Sequence, residues 1–107
     1  PRVPVERHYL LLPPDADWQW VAACQGYWEK FHISLGTNLD DAGYGPGLKI
    51  RAVTVINPDK WPENLKTFFE QNYPGVKYDP ILARSPRELK MILQWRIDKN
   101  RPLGGAG

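Results

Sequence analysis

Cys24, His8 and His32 are the residues of this chain best suited to nucleophilic chemistry. A thiol activated by an imidazole attacks acyl groups, provided the two side chains meet. Cys24, however, falls on a helical apolar stripe, where a thiol behaves as a small hydrophobe. His8 and His32 read as an edge residue and a helix-end residue, and two histidines without a third ligand make a poor zinc site. One cysteine among 107 residues excludes an internal disulfide and a multi-cysteine metal centre. No metal and no cofactor is therefore expected. Neither G-x-S-x-G nor H-E-x-x-H occurs. Asp40 and Asp59 could be drawn as a glycosidase pair, but any chain with 12 acidic residues allows such a drawing. Asn38-Leu39-Asp40-Asp41 offers oxygen ligands for a hard cation without the EF-hand spacing or its closing glutamate. Gly43-x-Gly45-x-Gly47 precedes a strand, whereas a dinucleotide loop joins a strand to a helix. With no catalytic constellation in view, the expectation leans away from an enzyme.

A second group of candidates sits where apolar runs end. Asp15 and Asp17 follow His8–Leu12, Asn57 and Asp59 follow Val53–Ile56, and Arg84 and Ser85 follow Tyr78–Leu82. In parallel α/β sheets these positions border the crevice outside the strand carboxyl ends. Carboxylates, an amide and an arginine beside a helix N-terminus could hold a small ligand or an anion. Helix capping explains the same residue types without any ligand. Trp18, Trp20, Met91 and Trp95 form a third group. Five Trp, five Tyr and three Phe are a heavy aromatic load for this length, and some of these rings are expected on an interaction surface. The last helical region carries Arg84, Arg87, Lys90, Arg96, Lys99 and Arg101 against Glu88 and Asp98. It reads as a solvated basic face or a contact for an acidic partner.

The elements that position these residues repeat one grammar. Ala52–Trp61 is the clearest case, a β-branched run, Val53 to Ile56, halted by Asn57-Pro58-Asp59 and followed by a helical pattern. His8–Leu12 is a short apolar strand closed by Pro13-Pro14. Asp15 or Asp17 then caps a helix to about Phe31, on which Val21, Cys24, Trp28 and Phe31 make one stripe and Trp20, Ala23 and Tyr27 a second. So wide an apolar surface exceeds what one sheet face needs. Ile33–Leu35 suggests a short edge strand, and the segment to Gly47 a long loop. Leu48–Ile56 reads as a central strand. Trp61, Leu65, Phe68, Phe69 and Tyr73 predict a helix with Pro62 in its first turn. Val76–Ala83 reads as a further strand. Ser85-Pro86-Arg87-Glu88 is a capping box opening a last helix, with Leu89, Ile92, Leu93 and Ile97 as its core stripe. The expected fold is α/β: a small three-layer domain, β-α-β-α-β-α, with a mainly parallel sheet of three to four strands and three helices.

Composition bounds the function classes. A chain of this length forms one domain, expected over residues 1–103 with 104–107 as a flexible tail or linker. Hydrophobic residues make up 42% and charged residues 24%, which suits a folded domain. No run approaches the roughly 18 apolar residues of a membrane span. A net charge of +2 gives no ground for expecting nucleic acid.

The run VINPDKWPENLKTFFEQNYPGVKYDPI, followed by ARSPRELKMIL, resembles small α/β accessory domains attached to bacterial secreted hydrolases of cell-wall and other glycans. HYLLLPP and NLDDAGYG are similar to the front of such domains. The resemblance implies a non-catalytic module of a larger bacterial protein, in a secreted or envelope setting. Together with the absent catalytic pattern it makes an accessory or protein-interaction module the first expectation. A small-ligand or anion-binding domain, or an enzyme completed by dimerisation at the strand ends, is the second. A glycan-binding module with exposed Trp rings is the third. A homodimer fits all three, because a short sheet leaves edges to cover.

Overall fold

β-Branched and apolar residues gather in three runs that form strands, and their inward side chains are buried because helices cover both sides of the sheet. The computed structural model describes residues 5–37 and 48–104. Chain order is β1 (Val5–Leu11), α1 (Trp18–Phe31), β2 (Ser34–Gly36), β3 (Leu48–Ile56), a single 3-10 turn (Pro58–Lys60), α2 (Leu65–Asn72), β4 (Lys77–Ile81) and α3 (Pro86–Lys99). The four strands are all parallel, in the order β2-β1-β3-β4. The expected three-layer α/β fold with a parallel sheet is the one observed. The candidate cation loop at 38–41, the glycine triplet at 43–47, the entry arm 1–4 and the end of the tail at 105–107 lie outside the described residues.

The sheet separates two cores. Leu10, Leu12, Cys24, Tyr27, Ile56, Ile81, Leu89 and Leu93 pack on the α1/α3 face. Tyr9, Leu11, Ile50, Val53, Val55, Leu65 and Phe69 pack on the α2 face. Ile50 and Val53 share a face although strict alternation would oppose them. The reason is a register shift: Arg7 pairs with Ile50 and His8 with Ala52, so Arg51 is an extra residue that flips the parity. Gly36 is required by a close approach, since a Cβ there would run into the Tyr9 phenol. Pro80 is tolerated because β4 is an edge strand with a neighbour on one side only.

Caps account for the helix starts. Asp17 accepts from the Gln19 N–H at 3.0 Å, and Ser85 from the Glu88 N–H at 3.1 Å. α2 corrects the sequence reading. Asn64 caps it, accepting from the Thr67 N–H at 3.1 Å, so the helix begins at Leu65 and not at Trp61. Pro62 precedes the helix, and Trp61 packs against the α2-side core from the connecting segment. His8 is a second correction. It is buried on the interior strand β1, not placed at an edge. His32 does terminate a helix, capping α1 with φ 55°.

Candidate functional site

Two groups of polar side chains stand out, one beneath α1 and α3 and one at the strand carboxyl ends, and they differ in what their polar atoms do. The first is buried. Register places Thr54 of β3 beside Asp79 of β4 and one row from His8 of β1. Tyr27 of α1 and Arg96 of α3 come down on them from the helices. Asp79 and Arg96 form an ion pair at 2.6 Å, with a second bond from the guanidinium at 3.1 Å. Counting protons assigns the rest. The Asp79 carboxylate can only accept, so Thr54 spends its one hydroxyl proton there, at 2.7 Å. His8 Nε2, 2.6 Å from Thr54 Oγ1, must then carry its own proton and donate. Tyr27 donates to the Pro102 carbonyl, which also accepts from Arg96 at 3.1 Å.

This network joins five side chains through Thr54 and Asp79, and burial and charge within it shift its titrating members. Burial pushes the His8 imidazole down to about 4; Asp79 opposes that shift, while Arg96 and Arg51 reinforce it. Burial raises the Tyr27 phenol, and the nearby Arg96 charge pulls the other way. For Arg96, burial alone would lower the guanidinium, but the bonds and charge of Asp79 prevail and hold it above its ordinary value. Gly104 lies so close to Arg96 that a Cβ would strike the guanidinium. The first residue of the expected tail thus packs against the network. Arg96, expected on a solvated basic face, is instead 5% exposed. Its place in the sequence was a signal: Leu89, Leu93 and Arg96 follow i, i+4, i+7, so an arginine occupies a core position of the stripe.

The second group borders a crevice at the strand carboxyl ends, with a volume of about 510 Å³. The β1 crossover to β2 carries α1 on one face, and the β3 crossover to β4 carries α2 on the other. The chain therefore reverses its winding between β1 and β3, the switch point at which open α/β sheets bind ligands. Of the six strand-end candidates, Asp15, Asn57, Asp59 and Arg84 line the crevice. Asp17 and Ser85 do not line it and act as the caps described above. Asn57 is already committed. Its side-chain amide donates to the Ala83 carbonyl at 2.9 Å and accepts from the Ala83 N–H at 2.8 Å. Its backbone N–H bonds the Ile81 carbonyl at 2.7 Å, so Asn57 ties the end of β3 to the end of β4.

Asp15, Asp59, Lys60 and Arg84 have exposed side chains with no hydrogen-bond or ion-pair partner among the described residues. Glu88 also lines the crevice and accepts from the Arg84 backbone N–H at 3.3 Å, as half of the capping box. Trp20, half-buried, and Leu82, 67% exposed, supply the apolar part. Lys60 is not singled out by the sequence, and Glu88 reads there only as a capping-box residue and as an acid of the basic last helix, because nothing local shows that a 3-10 turn and a helix start converge. Trp20, expected on an interaction surface, lines this crevice and packs on the α1/α3 core. Trp18, Met91 and Trp95 are exposed on the outer side of α1 and α3.

The nucleophile reading of Cys24 meets a physical obstacle. The thiol is fully buried, and burial pushes it up to about 12, so it remains protonated. Among the described residues no group of three His, Cys, Asp or Glu side chains is placed to hold a metal. No helix of the described residues is long and apolar enough to cross a membrane.

No protein-family model matches the chain, and no curated protein matches it. Among solved structures it is similar to a de novo designed Rossmann fold protein. The two are 19% identical, the match covers 87% of this chain and 96% of that chain, and the TM-score is 0.44.

Proposed function

We propose that this chain is a non-catalytic binding module of a larger bacterial protein, and that its strand-end crevice takes a carbohydrate. One observation carries the reading: unpartnered charges of both signs converge around a half-buried tryptophan at the switch point of the sheet. A volume of about 510 Å³ lies within the range of small-molecule sites, about 300–1,000 Å³. Three carboxylates, Asp15, Asp59 and Glu88, face two cations, Lys60 and Arg84. A phosphate or carboxylate ligand would meet more like charge than opposite charge, which disfavours the anion reading. Sugar hydroxyls donate and accept, so they suit both sets, and the Trp20 ring offers an apolar surface to the C–H face of a pyranose. The likeness of VINPDKWPENL and its flanks to accessory domains of secreted glycan hydrolases supports the same ligand class.

Titration of tryptophan fluorescence with N-acetylglucosamine oligomers tests the reading. A saturable change at low millimolar sugar is expected, and Asp59→Ala with Arg84→Ala should abolish it while the melting temperature holds. No saturable change, or a response that survives in the double variant, would overturn the assignment.

A further inference from the structure

We propose that the outer groove between α1 and α3 receives an acidic amphipathic helix of a partner protein. The groove is separate from the crevice and does not depend on its ligand. It begins between Trp18 and Pro86, runs past Ala22 and Lys90, and continues beside Gly26. Its two compartments measure about 440 and 330 Å³. From Trp18 to Gly26 the helical rise gives a length of about 12 Å, two turns of an occupant. Small residues form the floor, so a third helix axis could come close.

The rim states the chemistry of the occupant. Trp18, 74% exposed, stands at its mouth; Met91 and Trp95, one turn apart on α3 and 66% and 51% exposed, extend the apolar surface of α3 beyond the groove, with Met91 beside Arg87 and Lys90. These are three of the four large apolar side chains that stand exposed among the described residues. Arg87 and Lys90 stand between Trp18 and Met91, exposed and without a hydrogen-bond or ion-pair partner among the described residues. No acidic residue lines the compartment that holds Trp18 and Arg87. Apolar anchors with unpaired cations between them match a helix that carries leucine-like side chains flanked by glutamate or aspartate. Among the described residues, α2 of a second copy is not such a helix: its apolar side is spent on Leu65 and Phe69, and its Glu70 is paired with Lys66 at 2.9 Å.

The test uses two synthetic amphipathic helices with the same leucine face, one with glutamates on the polar face and one with lysines. Labelled peptide is titrated with the protein, and amide shifts locate the contact. The glutamate peptide is expected to bind, more weakly as salt rises, with shifts along Trp18 to Gly26 and Arg87 to Trp95. Arg87→Glu with Lys90→Glu should weaken it at least about tenfold, and Trp18→Ala should weaken it in an unchanged fold by circular dichroism. Equal binding of the lysine peptide, indifference to the charge reversal, or shifts confined to the crevice would each overturn the proposal. So would sedimentation showing that a second copy closes the groove.

Discussion

The two polar groups beside β3 are built from the same residue types and behave as opposites. Around Thr54, a carboxylate, an arginine, a histidine and a tyrosine are buried, and each has its bonds made within the chain. Around Trp20, carboxylates, a lysine and an arginine stand at the surface with their hydrogen-bonding capacity left over. α1 and α3 run back antiparallel to the strands, so Tyr27 and Arg96, late in their helices, reach the sheet well below the crevice. The difference teaches that charged residues on an α/β sheet mark a binding place only where the fold has not already consumed them. Burial and partnership, not residue type, separate a strut from a site.

The sharpest way to break that contrast is to remove one member of the buried ion pair. Asp79→Ala leaves the Arg96 guanidinium in an interior where it is 5% exposed, and the loss in unfolding free energy is expected to be about 3–5 kcal/mol. Replacing both partners with apolar residues, Asp79→Leu with Arg96→Met, should cost less than Asp79→Ala alone, because no charge is stranded. Urea denaturation of the three proteins measures this. Equal losses for the single and double variants would show that the guanidinium is not stranded, and the network would then lose its standing as a closed unit.

A second effect comes from His8. Its imidazole ordinarily titrates near 6.5 and is held at about 4 in the fold, chiefly by burial. The unfolded chain therefore takes up a proton before the folded one does. Stability owed to neutral His8 is complete above pH 6.5 and is lost as pH falls from there towards about 4. Across that window the loss amounts to about 3 kcal/mol. His8→Gln should flatten that part of the pH profile measured by thermal or urea unfolding. An unchanged slope would mean that the imidazole is not excluded from water as its position between β1 and Tyr27 implies.

Much of the frame was legible because the signals were local. Val53 to Ile56 announces a buried strand, and Asp17 and Ser85 announce helix starts through their own side chains. The network was not legible, because its bonds join residues far apart: Thr54 to Asp79, His8 to Thr54, Tyr27 to Pro102. No local pattern states which polar residue in an apolar run will find a partner. Arg96 is the exception, since its stripe position could have been counted. The crevice was half legible. Asp15, Asn57, Asp59 and Arg84 were reachable from the strand-end rule, while Lys60 and Glu88 needed the tertiary fold.

Asn57 lies between the two regions, bordering the crevice yet spending its amide on Ala83. It also holds φ 52°, a conformation that asparagine tolerates better than alanine. Asn57→Ala should cost about 2–3 kcal/mol through two lost buried bonds and backbone strain. Asn57→Gly should recover about 1 kcal/mol of this by removing the strain alone. Calorimetry on both variants separates the two contributions. If alanine and glycine were equal, the left-handed backbone would be doing nothing for the choice of asparagine.

The smallest expected change in stability belongs to the crevice, and its smallness is what gives it value. Arg84 and Asp59 are exposed and bond no other described side chain, so Arg84→Ala and Asp59→Ala should each leave unfolding free energy within about 0.5 kcal/mol of the parent. Residues that serve the fold are not expected to be removed so cheaply, and Asp79 of the buried network is the comparison. A measured loss of several kcal/mol at Arg84 would place it with the struts and remove the reason for treating the crevice as a binding place. Near-zero losses, combined with loss of the sugar-dependent fluorescence change, would separate binding from folding at the level of single side chains.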